Sequence, residues 1–116
     1  MATGTVTPPT AAQLAEEVKR LAAEYPDKQA ACQYFEPDTG EPCCIVGHAL
    51  AKFGYTYADA AKRQWNTGVD VGELFHKGVI VLGDGESYDL LDGLGEVQSD
   101  QDEGLPWGEA VKALSE

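Results

Sequence analysis

Apolar residues recur at helical spacing through most of the chain. Leu14, Val18, Leu21 and Tyr25 fall four, three and four residues apart, with Glu16, Glu17, Lys19, Arg20 and Glu24 between them, the pattern of a helix with one buried face. Thr10-x-x-Gln13 ahead of that run has the form of a capping box, and Pro26 ends it. A second stripe, Ile45, Val46, Ala49, Leu50 and Phe53, predicts a helix that opens at Pro42, closes at Gly54 and forms the centre of the core. Thr56-x-x-Asp59 opens a third helix running to about Trp65, and Asp70 caps a single turn carrying Leu74 and Phe75 that Gly78 closes. Ser87 caps a longer helix on which Leu90, Leu91, Leu94, Val97, Gln98 and Gln101 share a side. Gly93 and Gly95 inside it each cost up to about 1 kcal/mol relative to alanine and point to close packing or a break. Gly104 separates it from a last short helix that opens at Pro106 and carries Trp107, Ala110, Val111 and Leu114.

Between these runs, Met1–Pro9 is small and rich in Thr and Pro, and reads as a flexible tail. Gln29 to Phe35 alternates like a strand and leads into the turn-forming Glu36-Pro37-Asp38-Thr39-Gly40, which predicts a short β-hairpin near residues 30–43. Val79–Leu82 fits a strand or a buried connector equally well. The expected fold class is mainly α (α+β): a compact bundle of about four to five helices with that hairpin. Its 116 residues, 43% of them hydrophobic, suit one globular domain over residues 10–116 behind the tail 1–9.

Charge sharpens this picture. The net charge is −12, and residues 84–116 hold −9 of it, with ten acids against Lys112 alone. Such a field repels phosphate backbones and anionic membranes and favours basic partners, so neither direct nucleic-acid binding nor membrane binding is expected. No apolar run is long enough to span a bilayer, and Met1–Gln13 lacks the basic flank and apolar segment of a secretory signal, so a cytoplasmic protein is expected. Three cysteines, Cys32, Cys43 and Cys44, are an odd number. Without a signal the expectation is reduced thiols, and the adjacent pair is poorly placed to bridge itself.

Two groups of residues are candidates for function. Cys44 and His48 stand four apart on one helix and so face the same way, and a hairpin would return Cys32 alongside them. Three thiolates and an imidazole suit tetrahedral zinc, although the spacing lacks the closely separated cysteine pairs of established zinc motifs. The same cysteines also suit packing as small hydrophobes, with His48 at the edge of the core. A thiol at the start of that helix would have its pKa lowered by the helix dipole, with His48 or His76 as base, but no orienting group or oxyanion site is identifiable and no catalytic residue is assigned.

The second group is acidic: Asp84, Glu86, Asp89, Asp92, Glu96, Asp100, Asp102 and Glu103 are placed to present spaced negative charge to a basic partner, or to keep the protein soluble. Asp100-x-Asp102-x-Gly104 lacks the remaining ligands of a calcium loop, and the glycine pairs lack the context of a phosphate-binding loop. Trp65, Trp107, Tyr34, Phe35, Tyr55 and Tyr57 suit either interface anchors or core.

The segments Cys32-x-Tyr34-Phe35, Gly40-Glu41-Pro42-Cys43-Cys44-Ile45-Val46-Gly47-His48-Ala49-Leu50 and Val97-Gln98-x-x-Gln101-Asp102-x-Gly104-x-Pro106-Trp107 resemble small uncharacterised proteins of actinobacteria and their phages. The resemblance spans most of residues 10–115 and implies no activity. It does imply a role of the kind short phage proteins have, binding or inhibiting a host protein from the host cytoplasm. The leading expectation is therefore a non-enzymatic protein-binding module without a cofactor, monomeric or a small homo-oligomer, with a basic or amphipathic protein as partner. A zinc or thiol-active protein centred on the Cys/His set and a self-assembling structural subunit are the competing ones.

Overall fold

The first five helices each begin at a residue whose side chain caps the helix. The computed structural model describes residues 7–30, 33–67 and 69–114. At α1 (Ala11–Glu24), Gln13 N donates to Thr10 Oγ1 at 3.1 Å and Thr10 N donates to Gln13 Oε1 at 2.9 Å, completing the capping box. A further end amide, Ala12 N, donates to Glu86 Oε1 at 3.1 Å from far along the chain. Leu14, Val18 and Leu21 are buried, while Tyr25 past the helix end is 49% exposed.

The second helix, α2 (Ile45–Lys52), starts later than Pro42 because Cys44 is its cap: Gly47 N donates to Cys44 Sγ at 3.3 Å. Its Ile45, Val46, Gly47, Ala49 and Leu50 are all buried, and Gly54 follows with a φ of 106°. Gly47 is required by close approach, since a β-carbon there would overlap the Tyr34 carbonyl.

The expected hairpin is not formed: no strand exists among the described residues. Phe35 and Pro42 make one isolated antiparallel bridge, flanked by bonds from Cys43 N to Tyr34 O (2.9 Å) and from Glu36 N to Glu41 O (2.8 Å). Pro42 has no N–H to carry a ladder further. The free edge of Phe35 is closed by a side chain instead: its N donates to Asn66 Oδ1 (2.9 Å) and its carbonyl accepts from Asn66 Nδ2 (3.0 Å).

Thr56 caps α3 (Tyr57–Lys62), which stops short of Trp65 because Gln64 takes a left-handed φ of 62° and turns the chain inward. Asp70 caps α4 (Val71–His76), and Gly78 ends it. Of Val79–Leu82, Val81 forms a single parallel bridge with Thr10, in which Ala11 N donates to Val81 O (2.8 Å) and Val81 N to Pro9 O (3.0 Å). Residues 1–6 of the expected tail lie outside the described residues, and Pro9 is buried.

The longest helix, α5 (Tyr88–Asp102), runs unbroken through both glycines. A β-carbon on Gly93 would sit 3.1 Å from Leu114 Cδ2, so close packing accounts for it; one on Gly95 would meet nothing within 4 Å. After α6 (Trp107–Ala110) a 3-10 turn, Val111–Leu114, closes the fold. The described residues thus hold six α-helices rather than four or five, with α5 packed on α1, α2, α4, α6 and the closing turn. The radius of gyration of 13.1 Å is that of one compact globule. Trp65 is fully buried, with the rings of Tyr34, Phe35 and Tyr55 set edge-on around it at centroid distances of 5.5–6.2 Å. Among the described residues no helix is long and apolar enough to cross a membrane.

Candidate functional site

Among the described residues the cysteines and histidines do not gather into a metal site. Cys44 is completely buried, its sulfur occupied in capping α2, and burial pushes its thiol up to about 12. The helix dipole was expected to lower it, but in a dry environment desolvation of the thiolate outweighs the dipole. Cys43 is disulfide-bonded, which corrects the expectation of reduced thiols. The turn through residues 36–41 folds position 43 back beside Tyr34, as the turn-forming sequence there suggests, without the strands of a hairpin. Cys32 lies outside the described residues.

His48 is half-buried and edge-on to the Trp107 ring at 5.4 Å; desolvation, and then the Lys28 ammonium, hold its pKa below the usual value, so it is a neutral packing group at pH 7. His76 lies apart at the end of α4, against Phe75. Among the described residues no three His, Cys, Asp or Glu side chains converge to hold a metal ion. A disulfide sulfur and a protonated helix cap are not the donors that a zinc centre requires.

The acidic residues divide by position. Asp84 is exposed in the turn before α5. Glu86 is committed to the fold through its bond to Ala12 N. Asp89, Asp92, Glu96, Asp100 and Glu103 follow one another at intervals of three and four and so lie in a single line on the solvent side of α5, opposite buried Leu91, Leu94, Val97 and Gln101. All but half-buried Asp100 are exposed, and among the described residues none of the five makes an ion pair. No basic residue occupies the last turn of α5, so Asp100 and Glu103 face the negative end of the helix dipole.

Asp102 points elsewhere. It lines a groove of about 760 Å³ between the start of α4 and the C-terminal half of α5, together with Asp70, Glu73 and the C-cap Glu103, which belongs both to the outer line and to this wall. The amides of Gln33 and Gln98 and the hydroxyls of Thr67 and Ser99 complete the polar wall. At its floor the buried Tyr34 hydroxyl donates to Val69 O at 2.7 Å, with Gln98 Oε1 at 3.1 Å. Among the described residues no lysine or arginine lines this space.

One oxygen of Asp102 accepts from Gln101 Nε2 at 2.7 Å, and Gln101 Oε1 in turn accepts from Ile45 N at 2.8 Å, so a fully buried glutamine ties this carboxylate to the start of α2. Partial desolvation raises the Asp102 pKa, opposed by that bond from Gln101. Asp70 and Glu73 were not among the residues that the sequence singled out for binding. Their charge belongs to the near-neutral part of the chain, and only the fold sets them against the end of α5. No family model, curated protein or solved structure matches this chain.

Proposed function

We propose that this protein is a non-enzymatic binding module that uses the outer face of α5 to engage a basic or amphipathic protein. The observation that carries this reading is the line of five carboxylates, none of which makes an ion pair among the described residues. Neighbours along it are like charges at i,i+3 and i,i+4, each pair destabilising the helix by roughly 0.2–0.5 kcal/mol. Two of the five also oppose the dipole. Solubility alone does not require acids stacked in this way, since charges interspersed over the whole surface serve it without lining up like charges on one helix face. A complementary basic surface would remove the mutual repulsion, which makes the face more favourable in a complex than alone.

The test is isothermal titration with a lysine-rich peptide of about twelve residues, comparing Asp89→Lys/Asp92→Lys/Glu96→Lys with a control of equal charge change, Glu16→Lys/Asp27→Lys/Asp38→Lys. The α5 variant is expected to lose affinity at least about tenfold more than the control, and wild-type binding is expected to weaken steeply between about 50 and 300 mM salt. Equal losses in the two variants would reduce the effect to net charge and refute the reading.

A further inference from the structure

The groove beside Asp102 adjoins a second cavity of about 290 Å³, and the two meet at Gln33, Asn66 and Thr67. The smaller cavity has an apolar side made by Pro37, Tyr57, Ala60 and Ala61. We infer that the joined cavities receive a short extended segment of the partner protein, with an arginine side chain in the larger cavity and an adjacent apolar side chain in the smaller. This rests on the reading that the protein binds a basic partner, and adds where and how one residue of that partner is recognised.

Three features favour this occupant. First, the larger cavity is lined by carboxylates from two elements, Asp70 and Glu73 from the start of α4 and Asp102 and Glu103 from the end of α5, with no lysine or arginine in its lining among the described residues. Among the described residues, none of these four takes part in an ion pair, and Asp102 is held in place through Gln101. A planar guanidinium, with five N–H groups, satisfies several such oxygens at once, where an ammonium acts as a single point.

Second, amide and hydroxyl side chains at Gln33, Thr67, Gln98 and Ser99 offer both donors and acceptors to a peptide backbone. Third, Gly95 leaves the α5 wall open: nothing stands within 4 Å of where its β-carbon would be, so the helix bears a glycine in mid-run with no packing demand to explain it.

The inference is tested by amide NMR of the full chain, titrated with an acetylated and amidated alanine–arginine–leucine–alanine peptide and with its citrulline counterpart, which keeps shape and loses charge. Saturable shifts at Thr67, Gly95, Gln98 and Ser99 are expected, with a dissociation constant in the millimolar range and binding at least about fivefold weaker for citrulline. Gly95→Leu places a side chain in the open space and is expected to abolish these shifts while the rest of the spectrum stays unchanged; Asp102→Asn is expected to weaken them at least about threefold. Equal binding of both peptides, or no saturable shift, would overturn the inference. Shifts confined to Asp89, Asp92 and Glu96 would also overturn it, while leaving the outer-face reading in place.

Discussion

The start of α2 and the outer face of α5 use their reactive side chains in opposite ways. At α2, each described group that carries chemistry is engaged by the fold: Cys44 caps the helix, Cys43 is bridged, and His48 packs on Trp107. On α5, Asp89, Asp92, Glu96, Asp100 and Glu103 contribute no ion pair among the described residues. Residue type indicates chemistry only where the surroundings leave the group available, and the available groups here are carboxylates.

This contrast can be broken at several points. If Cys44 is a buried cap, its thiol should react with iodoacetamide at pH 8 about a thousandfold more slowly in the native protein than after unfolding, because little of it is thiolate. Native labelling at the unfolded rate would return it to the list of reactive groups. Gly47→Ala drives a methyl into the Tyr34 carbonyl and is expected to lower stability by about 3 kcal/mol, read as a shift in the urea midpoint. Gln101→Leu leaves Ile45 N without its acceptor inside the core, and a loss of about 2 kcal/mol is expected.

The smallest effect concerns Asp102. Its folded-state pKa is raised, so the folded protein holds that proton more tightly than the unfolded chain. Its effect on stability is therefore most favourable below the unfolded carboxylate value and declines as pH rises through the raised one. Asp102→Asn keeps the acceptor for Gln101 and removes the charge, and it is expected to raise stability slightly at pH 7 and not at pH 3. Equal effects at both pH values would mean that the carboxylate is not strained by its position.

What was legible in the sequence was local. The capping residues Thr10, Thr56, Asp70 and Ser87 act on amides two or three residues away, so short motifs reveal them. The apolar faces of α1, α2 and α5 follow from period alone. The contacts that the sequence concealed join distant positions: Glu86 to Ala12 across 74 residues, Gln101 to Ile45 across 56 and Asn66 to Phe35 across 31.

The same distance hid the groove. Asp70 and Glu73 looked like the start of one helix and Asp102 like the end of another, and no spacing rule unites them. The acidic bias of residues 84–116 was plain, but its sorting into a fold-supporting Glu86, an outer line and a groove wall of Asp102 with Glu103, the last shared with the outer line, needed the structure. Cys44 failed as a nucleophile for a related reason, since sequence shows a helix start but not the burial that outweighs its dipole.

The most direct test of the claim that the α5 carboxylates are held at the expense of the fold is urea denaturation of Glu96→Gln/Asp100→Asn/Glu103→Gln at low salt and pH 7. Neutralising this part of the line removes like-charge neighbours and relieves the dipole, so stability is expected to rise by about 1 kcal/mol. A fall in stability would show that these acids hold the fold together, and would contradict the account.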